Sequence, residues 1–323
     1  MAQAAGTSDT FDLIGLAEDV ENVIFNITPT ETPALTMAKR TKVSAVNHQW
    51  QTDSLAAAGT NAAVEGDDST YATVTPTTLL SNYTQIFKKS VMISGTADAV
   101  RKYGRKEEFA YQMAKKGKEL KRDIEFSIVQ NAKSSAGSTT VARSSAGLES
   151  MIAGNRVLAG STNTTGTTAG YAAGLWTAPV DGTTAAFTET ALVSALDAAW
   201  TDGGDPSVIM TNSSQKRVMA TFGGASKFAG VSVNQGRTAQ AVVLGGVDLY
   251  ISDFGEHKVV LNRYMRTRTV LCLDPDYISF GFLRAIKYEE RAKTGDATRG
   301  ELLAEGCLIV GNPDAHAKIQ DAS

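Results

Sequence analysis

The residues best able to do chemistry in this chain are few and dispersed. Its histidines are His48, His257 and His316. A metal centre or an acid–base pair needs imidazole, thiolate or carboxylate groups at short, repeated spacings. None of the three has such a neighbour, so each reads as an ordinary strand or surface residue. Cys272 and Cys307 both lie in apolar, strand-like runs. They read as small buried hydrophobes in a reduced compartment, with a disulfide between them left open. Asp67-Asp68 and Glu289-Glu290 are neighbours in sequence; on a strand or loop such neighbours point apart into water. Asp253-Phe254-Gly255 matches the metal-binding tripeptide of kinases. No glycine-rich phosphate loop, strand lysine motif or catalytic loop accompanies it, so the match is read as chance. There is no Gly-x-Ser-x-Gly, no Walker loop and no dinucleotide fingerprint. Asn26-Ile27-Thr28, Asn82-Tyr83-Thr84 and Asn163-Thr164-Thr165 fit the glycosylation pattern, which carries little weight without a secretory signal. No enzyme activity, cofactor or metal is expected.

Composition points the same way. With 323 residues, 42% of them hydrophobic, the chain can bury a sizeable core and form two domains. Aromatic residues are only 7%, while Ala, Thr, Ser and Gly are plentiful, which favours sheets and loops with modest side chains. A net charge of −3 is too small to argue for nucleic-acid or membrane partners globally. No apolar run is long enough to span a bilayer. Met1-Ala2-Gln3-Ala4-Ala5-Gly6 lacks a basic region followed by an apolar stretch, so no signal peptide is expected.

The elements that could position functional groups are more telling. Residues 45–94 read as a long, polar, two-stranded excursion. Val46, His48, Trp50 and Thr52 alternate along the first arm. The tip, from Ala56 to Ser69, is small and acidic, with little that could pack. The returning arm, Thr73 to Ser94, carries the Thr, Val, Ile, Tyr and Phe that suit a strand, and Pro76 near its start marks an edge. A two-stranded ribbon is marginal alone in water. An excursion of this size is therefore expected to lie on another copy of the protein.

A short helical turn over Thr96–Tyr103, stopped at Gly104, precedes a helix expected from Arg105 to Lys133. At about 29 residues that helix is roughly 43 Å long. Phe109, Met113, Leu120, Ile124 and Ile128 form its apolar stripe. Lys115, Lys116, Lys118, Lys121 and Arg122 share the other faces with Glu107, Glu108, Glu119 and Asp123.

Elsewhere the signals are local. Leu13 to Phe25 reads as a short helix, followed by an extended path through Pro29 and Pro33 and a turn at Leu35–Arg40. The low-complexity stretch Ser161–Gly170 reads as a surface loop. Thr188 caps a helix through Trp200, with Leu192, Leu196 and Trp200 on one face. Val208–Thr211 is a strand, and Asn212 caps a helix through Phe222. Strands follow at Val242–Leu244, Val247–Ser252, Lys258–Asn262, Thr269–Leu273, Tyr277–Leu283 and Glu301–Val310. The class is α+β with a mixed sheet.

The C-terminal third carries a resemblance. Tyr250-Ile251-Ser252-Asp253-Phe254-Gly255, Val259-Val260-Leu261-Asn262-Arg263 and Val270-Leu271-Cys272-Leu273-Asp274 come first. Gly281-Phe282-Leu283-Arg284, Ala292-Lys293-Thr294-Gly295-Asp296 and Glu305-Gly306-Cys307-Leu308 follow, with Thr30-Glu31-Thr32-Pro33 and Ile93-Ser94-Gly95-Thr96-Ala97 upstream. In this order they resemble the major capsid (head) proteins of tailed bacteriophages, those of large podovirus-like phages in particular. The resemblance implies the Hong Kong 97-type capsid fold. Residues 1–44 would be an N-terminal arm and 45–94 the extended loop across a neighbour. Residues 95–139 would form the peripheral domain around its spine helix at 105–133. Residues 140–275 would form the axial domain, and 276–323 would return to the peripheral domain. Residues 160–187 have no place in the resemblance. It further implies hexamers and pentamers of this chain in an icosahedral head, built in the bacterial cytoplasm. The implied partners are a portal, decoration proteins and packaged double-stranded DNA held without sequence preference, with no membrane. A tail or surface-layer component is the alternative. The tip acids Glu65, Asp67 and Asp68 and the cations Lys115, Lys116, Lys118, Lys121 and Arg122 are candidates to meet between neighbouring copies; the alternatives are that both sets are solvated faces or that the lysines face the DNA.

Overall fold

The computed structural model describes residues 29–68, 71, 73–159, 170–222, 248–293 and 295–323. The readings at Leu13–Phe25, Val242–Leu244 and Ser161–Ala169 lie outside the described residues. The chain enters through a helix, α1 (Pro33–Met37), whose first position is Pro33, where a missing N–H costs nothing. Ala38 is extended, and Lys39–Lys42 then pairs in parallel with Ser279–Phe282.

The excursion divides where the sequence reads as one arm. Asn47–Thr52 pairs antiparallel with Thr78–Tyr83, Asn47 opposite Tyr83 and Thr52 opposite Thr78. Pro76 sits just before that strand, where no ladder bond is needed. After Thr84 the chain leaves the hairpin, and Gln85–Ser94 pairs with Ala297–Gly306 instead. The last ten residues of 45–94 are thus a core strand. The reason is its apolar face: Phe87 and Val91 are buried beneath the long helix, and that burial needs a sheet around it.

Ser94 caps a second helix, α2 (Gly95–Ala99), by accepting from the Ala97 N–H. It is shorter than the expected turn. Gly104 has φ +75°, a conformation glycine adopts freely, and it turns the chain into α3 (Glu108–Val129). The helix starts later than Arg105 because the preceding residues are committed to that turn. The Glu108 N–H donates to Asp98 Oδ1 at 3.1 Å. It ends at Gln130, which is extended and donates through Nε2 to the Tyr264 carbonyl at 2.6 Å. Leu120, Ile124 and Ile128 are fully buried. Phe109 and Met113 are only half-buried. They lie over Gly300, where an added Cβ would sit 2.7 Å from each. The helix covers a four-stranded sheet ordered 39–42, 278–291, 297–310, 85–94.

A second sheet has six strands, in the order 156–158, 317–320, 269–273, 208–211, 255–261, 249–252. Against it pack α5 (Glu189–Thr201) and α6 (Ser213–Met219), with a one-turn helix, α4 (Leu148–Met151), earlier in the chain. The caps fall where the sequence puts them. Thr188 Oγ1 accepts from the Ala191 N–H, and Asn212 from the Ser214 N–H. Leu192 and Leu196 are buried, but Trp200 is 60% exposed. Its indole lies 5.9 Å from the Phe254 ring because α5 has passed the sheet edge there. Ala317–Gln320 pairs antiparallel with Thr269–Cys272, and its last three residues pair in parallel with Arg156–Leu158. The segment 276–323 therefore serves both sheets. Cys272 and Cys307 are buried and unpaired, one in each sheet, and burial pushes both thiols up to about 12.

Candidate assembly surfaces

Residues 53–68, 71 and 73–77, between the two strands of the hairpin, belong to no strand or helix. Gly66, at φ +85°, closes a turn in which the Asp67 N–H donates to the Val64 carbonyl at 3.1 Å. Glu65, Asp67 and Asp68 are all exposed. The segment is less bland than its composition suggests. Leu55 is 98% exposed, Val64 79%, Tyr71 94% and Val74 87%. Apolar side chains this bare along one segment are free to meet a partner.

The cations of α3 occupy several faces. Lys115, Lys118 and Lys121 are exposed. Lys116 pairs with Glu119 at 2.7 Å, and that hydrogen bond holds the Glu119 carboxyl below its usual range. The Arg122 guanidinium lies 5.7 Å from the Tyr264 ring centre, a cation–π distance. Among the described residues its Nε is buried without a hydrogen-bond partner. Tyr111, Ala114, Lys115, Lys118 and Arg122 line a cavity of about 220 Å³ together with Thr30. Among the described residues no ion pair joins this face to the tip acids, so the single subunit does not bring the two charged sets together.

Buried carboxylates that sequence reasoning missed tie the two sheets and the entering chain. Glu125, fully buried, accepts from the Ala34 N–H at 2.8 Å, the Leu35 N–H at 2.7 Å and Asn262 Nδ2 at 2.6 Å. Desolvation raises its carboxyl despite those donors. Glu305 accepts from Thr84 Oγ1 at 3.0 Å, Arg143 at 2.6 Å and Arg284 at 2.8 Å. Glu149 takes Arg266 at 2.9 Å. The available signal was a lone acid inside an apolar run, as in Ile124-Glu125-Phe126 and Ala304-Glu305-Gly306, because a buried charge is kept only with partners.

The enzyme-like residues are structural. Asp253 and Phe254 form the turn of the 249–261 hairpin, with Gly255 at φ +137°. His257, buried rather than at the surface, donates from Nδ1 to the Pro206 carbonyl and accepts at Nε2 from Ser252, both at 2.6 Å. His316 is buried as well. His48 stacks on Trp50 at 5.9 Å, and burial lowers its pKa. Among the described residues no group of three or more His, Cys, Asp or Glu could hold a metal ion.

Known proteins share this architecture. The capsid of a native GTA particle superposes with a TM-score of 0.63 at 11% identity, covering 99% of this chain and all of the other. The capsid of cyanophage A-1(L) gives 0.61 at 15% identity, covering 97% and 98%. Both carry the Hong Kong 97-type fold, as the α+β arrangement here does. The major capsid protein of Escherichia phage Phieco32 is 40% identical over 117 residues, 36% of this chain. That match spans only a third of the relative's length. A family model described as the SU10 major capsid protein matches residues 3–323. With the whole described fold inside that match, the chain belongs to the SU10 major capsid protein family.

Proposed function

We propose that this chain is the non-enzymatic building block of a tailed-phage head, joining copies of itself into an icosahedral shell around double-stranded DNA. The observation that carries this reading is the excursion 53–77. It exposes Leu55, Val64, Tyr71 and Val74 on a hairpin that packs little of itself, and a neighbouring copy would cover them. The sheet built on α3 corresponds to the peripheral domain, and the six-stranded sheet to the axial domain around which hexamers and pentamers form. The tip acids Glu65, Asp67 and Asp68 and the cations of α3 are surfaces offered to contacts outside the core. Each contact is weak, but a subunit makes several, and multivalency stabilises the shell. Contact with DNA is limited and sequence-independent, since the chain carries a net −3. A portal and decoration proteins complete the particle, which assembles in the host cytoplasm.

Electron microscopy of the purified protein tests this. Closed icosahedral shells are expected. Tubes or planar arrays would replace the reading with a tail or surface-layer component.

A further inference from the structure

One face of α3 is chemically suited to an anion. Tyr111, Lys115, Lys118 and Arg122 recur at spacings of three and four, so they share that face. With Thr30, Ala114 and Glu119 they line the cavity of about 220 Å³, which equals the liquid volume of roughly seven water molecules. Its polar side chains are almost all donors: two ammonium groups, a guanidinium, and the hydroxyls of Thr30 and Tyr111. Glu119 is the exception, and Lys116 already holds it at 2.7 Å. Lys115 and Lys118 are exposed, and among the described residues neither joins an ion pair. Arg122 is the fixed member. The Tyr264 ring centre lies 5.7 Å from its guanidinium, and among the described residues its Nε is buried without a hydrogen-bond partner. An unmet buried donor is costly, and an acceptor entering the cavity would remove that cost.

The charge count points to phosphate. Three cations stand against no free acid, more than one carboxylate neutralises. Arginine meets a phosphate through two parallel N–H bonds, and a phosphodiester chain brings a further anion for each lysine. Lys115 to Arg122 spans about 10 Å of helix, and duplex DNA carries one charge per roughly 1.7 Å of its axis. We propose that this face of α3 seats backbone phosphates of double-stranded DNA, Arg122 taking one in the cavity and Lys115 and Lys118 those beside it. The inference rests on the shell reading for the source of the DNA and adds which surface meets it. Phosphates carry no sequence information, so the site is indifferent to sequence, as enclosing DNA of any sequence requires.

The test is binding of a short fluorescent DNA duplex, in two unrelated sequences, to the unassembled full chain, followed by anisotropy as salt is raised. Both sequences should bind equally. For three phosphate contacts the affinity should fall about fortyfold between 50 and 200 mM salt. Lys115→Gln with Lys118→Gln leaves one contact, and the fall should shrink to about three- to fourfold. Arg40→Gln with Lys42→Gln removes equal charge from other exposed positions and should keep the full fall. Arg122→Lys keeps the charge and loses the Nε, so it should weaken binding at every salt concentration and leave the slope unchanged. A control pair that flattens the slope as much as the cavity pair overturns the proposal, and so does a duplex that fails to bind at low salt. Acetylation of Lys115 and Lys118, read by mass spectrometry, separates the other occupants. Protection by inorganic phosphate at matched ionic strength, and not by the duplex, overturns the proposal in favour of a small-anion site. Protection with neither present, growing with protein concentration and abolished by neutralising Glu65, Asp67 and Asp68, overturns it in favour of a second copy's loop tip. Because the subunit is measured unassembled, failure to bind the duplex leaves the shell reading standing, and failure to form shells leaves the binding result standing.

Discussion

Asn262 Nδ2 donates to Glu125 Oε1 at 2.6 Å across 137 residues of sequence. The same carboxylate holds the first turn of α1 through the Ala34 and Leu35 N–H groups. One buried acid thus joins the entering arm, the long helix and the end of a strand of the six-stranded sheet.

That junction should be sensitive to its acceptor. Glu125→Ala leaves three buried donors without one, each costing about 1–3 kcal/mol, so a loss of at least about 2 kcal/mol is expected. Glu125→Gln keeps an oxygen for Ala34 and Asn262 and should be milder. Thermal melting of the unassembled subunit checks both. An Ala variant that melts like a surface control would show that the junction contributes nothing.

Leu120 is the other half of the helix's anchorage, fully buried against the four-stranded sheet. Leu120→Ala should cost about 2–5 kcal/mol. Phe109→Ala, at the half-buried margin of the stripe, should cost less. Denaturant midpoints of the two variants order them, and the reverse order would mean the core lies at the other end of α3.

Deleting Leu55 to Tyr71 and closing with a short turn spares both strands of the hairpin, which end at Thr52 and resume at Thr78. The expected product is a folded, soluble subunit that forms no shells. Circular dichroism and electron microscopy of the same sample decide. Normal shells would remove the loop from assembly, and an unfolded product would make it part of the core.

His316 gives a pH dependence. Burial lowers its pKa from 6.5 to about 4, so between those values the unfolded chain binds a proton that the folded chain does not. Its contribution is full above pH 6.5 and is lost as pH falls toward 4. His316→Asn should flatten the fall of stability across that window by up to about 1.4 kcal/mol per pH unit. Asn can still accept the Asp274 N–H that His316 Nδ1 takes at 3.0 Å. Denaturation at several pH values across the window gives the two slopes, and parallel slopes would assign the acid sensitivity to other groups.

The sequence by itself determined what is local. The four-residue spacing of Leu120, Ile124 and Ile128 puts those side chains on one face of a helix. Thr188 and Asn212 capped their helices because an oxygen at that position satisfies a free backbone N–H within three residues. Thr269–Leu273 was legible as a buried strand from its apolar run. Tertiary structure alone decided which segments share a sheet. Gln85–Ser94 reads as the continuation of a hairpin arm, yet it pairs with Ala297–Gly306. Ala317–Gln320 crosses to the other sheet. Trp200 keeps its helical spacing and still faces water, and Glu125, beside the apolar stripe in sequence, is a buried junction in space. Strand pairing and charge burial depend on which distant segments offer backbone groups, donors and apolar area at one place, and no window of neighbouring residues contains that information.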